Sequence, residues 1–221
     1  MKNQWPFSIP DKERALSILI WGPIATLAFA VIYGACNKMA VTANWHYPMF
    51  FEFEKSIPLI PWMIYPYLSL NALFILAAFV LNKNAVKGYC LSIVWGAIIA
   101  GIIFYFFPGQ LGFERVSQVH GYEKLFQAMH EIDQPHNLFP SLHVTYSSLS
   151  MWSMIHQSRN DLFKWFLNFW LVMIAASVIL VHQHHLFDIV TGFLLAIALY
   201  KSVYLRYAEP KGTVLAAESV V

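Results

Sequence analysis

Apolar residues in this chain come in long unbroken blocks rather than at every third or fourth position. A bilayer crossing takes about 20 predominantly apolar residues. Blocks of that kind lie at about 15–33, 61–80, 91–107, 141–155, 163–181 and 186–204. The pattern therefore predicts an all-α fold: a single polytopic membrane domain over residues 1–221, with six helices in a bundle. The second block contains Pro61 and Pro66, which predicts a kinked or late-starting helix. The fourth, SLHVTYSSLSMWSMI, is the least apolar and holds Ser141, Ser147, Ser148, Ser150, Ser153 and Thr145. Small hydroxyl residues let helices approach closely in lipid, so this helix is expected at the bundle centre. Residues 44–60, with WHYPMFFEFEKSIPLI, read as an interfacial stretch rather than a crossing.

Composition sharpens the picture. Only 12% of the residues are charged and 58% are hydrophobic, against about 25% charged in soluble domains. Too few charges remain to cover a water-facing surface. Eight Trp suit aromatic anchoring at the lipid interface. The net charge of +2 gives no ground for a nucleic-acid partner. No small-residue cleavage site follows a short apolar core near the N-terminus, so no signal peptide is expected.

Alternating the six blocks across a bilayer puts ten Lys and Arg on one side (residues 2, 12, 14, 83, 87, 159, 164, 201, 206 and 211) and four on the other (38, 55, 115 and 124). The positive-inside rule then places both termini in the cytoplasm. Eight of the nine histidines fall on the outer side, with His156 the exception. Cys36 and Cys90 fall near opposite faces, too far apart for a disulfide.

The outer side holds the chemistry. Between the fifth and sixth blocks stands VHQHHLFD, residues 181–188. His184 and Asp188 are four apart where a helix begins, so they share a face. A carboxylate that accepts from one imidazole nitrogen fixes the tautomer and leaves the other nitrogen as nucleophile or base. The longest outer segment, PGQLGFERVSQVHGYEKLFQAMHEIDQPHNLFP, leads into Ser141-Leu142-His143. Pro140 suits a helix start, and the free N–H groups of that start form an anion cradle. Asp133 and Asn137 read as turn formers before it. Two imidazoles, a carboxylate, a helix N-terminus, Ser141 and Arg115 are what phosphoryl transfer through a phosphohistidine requires. A plainer reading of His184 and Asp188 is an ion pair capping a helix at the membrane rim.

These residues resemble the motifs of the type-2 phosphatidic acid phosphatase superfamily of membrane lipid phosphatases. Its motifs are Lys-x6-Arg-Pro, Pro-Ser-Gly-His and Ser-Arg-x5-His-x3-Asp. Here the second is Pro140-Ser141-Leu142-His143, and the third runs from Ser177-Val178 to His184 and Asp188. The Pro-Ser-Leu-His form is similar to a branch that includes lipid phosphatases and relatives of inositol phosphorylceramide synthase. The resemblance covers about residues 106–192. It implies His184 as nucleophile, Asp188 as its orienting partner and His143 as general acid. It also implies Arg115, Ser141 and Leu142 at the phosphate, with no metal and no organic cofactor. Three motif positions differ: Pro108 stands for the lysine, Val116 for the proline and Val178 for the arginine. His182, Gln183, His185 and Lys124 are the candidates to replace the lost cations.

The expected function is hydrolysis of a lipid phosphate or diphosphate at the outer face. Compactness and short loops favour a bacterial inner membrane with a periplasmic site. Three other readings stay open: a headgroup phosphotransferase using the same histidine, a zinc protein built on His143, His182, His184, His185 and Asp188, and a non-enzymatic lipid-binding or transport protein. The expected partners are a lipid phosphate and the bilayer. The residues carry no signal for an oligomeric state.

Overall fold

The computed structural model describes residues 5–208. The chain forms an all-α bundle. Its elements are α1 (Lys12–Val41), α2 (Ile64–Leu68), α3 (Leu70–Val80), α4 (Lys83–Phe106), α5 (Glu123–Ile132), α6 (Leu142–Gln157), α7 (Asp161–Leu180), α8 (Leu186–Leu199) and α9 (Leu205–Ala208), with a π-turn over Tyr200–Tyr204 before α9. A parallel pairing of two residues each, Tyr47 with Gly109 and Pro48 with Gln110, ties the α1–α2 connection to the segment after α4.

Polar caps start the long helices. The side chains of Asp11, Asn82 and Asn160 accept from Arg14 N, Ala85 N and Phe163 N at 2.8, 2.9 and 2.9 Å, satisfying donors that no helical carbonyl reaches. The expected second crossing is broken in two. Ser69 separates α2 from α3 and donates its hydroxyl to Pro66 O at 2.6 Å. α1 runs to Val41, beyond the expected end near residue 33. The added turns carry Asn37 toward the segment before α6, where its Oδ1 accepts from Asn137 Nδ2 at 2.6 Å.

α6 is the central helix. It packs against α3, α4, α7 and α8. Ser147, Ser148, Ser150 and Ser153 are all fully buried. Their small side chains let four neighbours close around one helix, which explains why the least apolar segment lies deepest. Outward positions of α1 are apolar and open, among them Leu19, Leu27 and Val31. In water such a face would be unstable; against lipid it is matched.

Among the described residues, five helical segments are long and apolar enough to cross a membrane: Lys12–Val41, Pro61–Val80, Lys83–Phe106, Asp161–Leu180 and Leu186–Ala208. α6 has 16 residues and is about 24 Å long, short of the ~30 Å hydrocarbon core. Of the ten cations assigned to one side, Lys2 and Lys211 lie outside the described residues. Cys36 and Cys90 are both free thiols.

Candidate active site

The starts of α6 and α8 are docked on each other. Ser141 N–H donates to the Asp188 carbonyl at 3.1 Å. Thr145, one turn along, donates to Ser141 O at 2.8 Å and to Gly192 O at 3.0 Å. Gly192 makes this approach possible, since a Cβ there would stand 2.7 Å from Ser141 O. Ser141 itself is fully buried and is the N-cap of α6; its Oγ accepts from Val144 N at 3.3 Å. Among the described residues, the N–H groups of Leu142 and His143 have no hydrogen-bond partner. They are the open donors of this helix start.

The turn into α8 shapes the other half. His182 takes a left-handed backbone, φ 59°, and Gln183 N and His184 N both donate to Val178 O. This reversal brings His184 over the first turn of α8. His184 Nδ1 lies 3.3 Å from Asp188 Oδ2, and the same oxygen accepts from His185 N at 2.8 Å. Asp188 is fully buried. A carboxylate accepts, so Nδ1 carries the proton and Nε2 presents a lone pair. Among the described residues nothing hydrogen-bonds to His184 Nε2.

His143 lies in the first turn of α6. Its Nε2 stands 2.6 Å from the Tyr67 carbonyl, which can only accept. Its ring stacks on the Tyr67 ring at 3.9 Å and 13°. With Nε2–H committed, the exchangeable position is Nδ1. His143 interacts electrostatically with His184 and with Asp133.

The remaining sequence candidates divide. His185 is held from three directions: Gly112 N–H donates to Nε2 at 2.9 Å, Nδ1–H donates to Glu54 Oε2 at 3.2 Å, and Phe113 stacks on the ring at 4.6 Å. Burial lowers its pKa below the ordinary value. His182 donates to Ile57 O at 2.9 Å and stacks on Phe113 at 4.1 Å, and burial lowers its pKa too. Both rings are committed to protein partners, and His185 has no nitrogen left for zinc. Gln183 is buried and donates to His182 O. Lys124 is exposed on α5. Arg115 is partly buried and donates through Nη2 to the carbonyls of Asp133 and His130, at the end of α5.

Four important residues gave no motif signal. Glu54 is fully buried; its carboxylate accepts from Phe51 N at 2.9 Å, Leu186 N at 2.8 Å and the His185 ring. It thereby caps α8 from a turn far away in sequence. Asp133 accepts from the hydroxyls of Tyr33 and Tyr67. The one hint was an acid inside the apolar stretch FFEFEK, of which Glu52 proves exposed and Glu54 buried.

Residues 113–210 match the family model of the PAP2 superfamily. No curated protein and no solved structure matches the chain. The matched region, somewhat under half of the chain, contains both helix starts and every motif residue from Ser141 to Asp188, and it is similar to that superfamily, whose members are phosphatases.

Proposed function

We propose that this integral membrane protein hydrolyses a lipid phosphate or diphosphate at the outer face of its membrane through a phosphohistidine on His184. The observation that carries the reading is the pairing of His184 Nδ1 with buried Asp188, which leaves Nε2 open, on a turn to which the α6 start bearing His143 is bonded through Ser141 N–H and the Asp188 carbonyl.

The chemistry balances as follows. Nε2 of His184 attacks phosphorus; the N–P bond forms as the bond to the leaving oxygen breaks. His143, protonated at Nδ1, gives that proton to the leaving oxygen. Asp188 stabilises the positive charge that grows on the His184 ring. The Leu142 and His143 N–H groups face the phosphoryl oxygens at the positive end of the α6 dipole, and Ser141 holds that helix start in register. Arg115 adds positive charge from the α5 side. In the second step neutral His143 takes a proton from water, which attacks phosphorus and frees His184. His184, His143 and Asp188 are thus the catalytic residues, and no metal is needed. His182, Gln183 and His185 shape the turn that presents His184; Lys124 stays a peripheral cation.

In this reading α6 counts as the sixth crossing, sheltered by its neighbours, and both termini face the cytoplasm of a bacterial cell. A lipid substrate is supported by a run of aromatic rings that ends beside Asp188. Tyr47 contacts Phe107, Phe107 contacts Phe139, and Phe139 contacts Phe187, which is partly exposed one residue before Asp188. Such a strip suits a headgroup at the interface with its chains in the bilayer.

The test is to purify wild type and His184→Ala in detergent and supply a panel of lipid phosphates, with and without chelator. Wild type is expected to release phosphate in both conditions and the variant in neither. A new lipid without free phosphate would make the protein a headgroup transferase. Loss on chelation would reinstate a metal. No change in any lipid would leave a binding or transport protein.

A further inference from the structure

We infer that Tyr67 and Asp133 form a positioning pair that holds His143 as the acid for the leaving group; the inference rests on the phosphatase reading above. Tyr67 meets His143 in two ways. Its carbonyl takes the Nε2–H at 2.6 Å, and its ring lies flat against the imidazole at 3.9 Å. The first contact confines the transferable proton to Nδ1. The second fixes the plane of the imidazole.

Tyr67 is itself fixed from its far end. Its hydroxyl donates to Asp133 Oδ2, while Tyr33 on α1 donates to Asp133 Oδ1 at 3.0 Å. Asp133 is anchored through its backbone: its N–H reaches Met129 O at 2.9 Å, and its carbonyl accepts from Arg115. The Asp133 carboxylate also interacts electrostatically with His143. So a carboxylate from the α5 loop stands behind a tyrosine, which stands behind the second imidazole. His184 has Asp188 directly; His143 has Asp133 by way of Tyr67. The arrangement gives each imidazole its own carboxylate, fully buried at Asp188 and half-buried at Asp133. It also gives Arg115 a second use, holding the loop that carries Asp133.

A group that serves only the leaving-group proton matters for an alkyl phosphate, whose alkoxide needs protonation, and matters little for an aryl phosphate whose phenolate leaves unaided. The test measures kcat/KM, which reports the step that expels the leaving group, for dihexanoyl phosphatidic acid and for 4-nitrophenyl phosphate. Wild type, Tyr67→Phe and Asp133→Asn are compared in the same detergent, with thermal unfolding of each to verify folding. Tyr67→Phe keeps the ring and the carbonyl but loses the bond to Asp133. Both variants are expected to lose about 5–50-fold on the alkyl substrate, a part of the 10²–10⁴ that general acid catalysis supplies, and at least five times less on the aryl substrate. Equal losses on both substrates, or no loss on either, would overturn the inference. Because the two variants remove opposite ends of one hydrogen bond, failure of one to fold leaves the other to decide. A wild type inactive on both substrates would overturn the phosphatase reading and this inference together; an active wild type with undiscriminating variants would overturn the inference alone.

Discussion

Ser141 and Asp188 belong to different helices, yet the Ser141 N–H donates to the Asp188 carbonyl at 3.1 Å. That single bond joins the N-cap of α6 to the first turn of α8. It sets the distance between the anion cradle at Leu142 and His143 and the imidazole of His184. The residues proposed as functional are thus arranged by the docking of two helix starts together with the left-handed turn at His182 that carries His184.

Gly192→Ala tests the docking. The new methyl group would stand 2.7 Å from Ser141 O and 3.2 Å from Val144 Cβ. Backbone cannot step aside as a side chain can, so α6 and α8 must separate. The expected cost is about 1–3 kcal/mol of stability. Phosphate release is expected to fall by about 10²-fold from the misplacement. A variant with wild-type rate and wild-type Tm would show that the close approach is dispensable.

Asp188→Asn tests the tautomer. The amide keeps the shape but can turn its NH₂ toward Nδ1, which moves the imidazole proton to Nε2 and removes the nucleophilic lone pair. A loss of about 10²–10⁴ in kcat is expected, with folding retained. Rates within a few-fold of wild type would mean that the His184–Asp188 contact is only a helix cap.

Glu54→Gln tests the remote cap of α8. The carboxylate receives three N–H donors. An amide in its place offers an NH₂ to at least one of them, leaving a buried donor unpaired at about 1–3 kcal/mol. Thermal unfolding in detergent is expected to shift down accordingly. An unchanged Tm would show that this burial contributes little.

Stability is expected to depend on pH through buried histidines. Burial lowers His182 and His185, and burial together with the Arg115 charge lowers His130 to about 4. Between the folded and unfolded values the unfolded chain binds more protons. The contribution is therefore complete above about pH 6.5 and is lost as pH falls toward 4. A Tm that holds from pH 8 to 7 and declines from about pH 6.5 to 5, before most carboxylates titrate, is the expected result. A flat profile across that window would contradict it.

The sequence by itself determined the all-α class of the fold and the central place of the serine-rich segment. Unbroken apolar blocks have no water-soluble solution, and a backbone in lipid satisfies its own hydrogen bonds only as helix. The serine-rich segment was placed at the centre for a local reason, its small side chains, and α6 lies there. The pairing of His184 with Asp188 was read from helical spacing, but His184 precedes the N-cap His185, and the left-handed turn at His182 is what folds it over the first turn of α8. Helix ends were not: α1 and α4 each extend about two turns past the apolar block, because polar caps and neighbouring helices, not hydropathy, end a helix.

Only the tertiary structure decided what surrounds the two imidazoles. Glu54 reaches His185 across 131 residues, and Asp133 meets Tyr33 and Tyr67 across 100 and 66. No periodicity encodes such contacts; they exist because burying a carboxylate without partners is costly, so the fold gathers N–H and O–H donors around it. The same cost explains why His182 and His185, adjacent to the motif, became structural rings while Tyr67, far from it, came to hold His143.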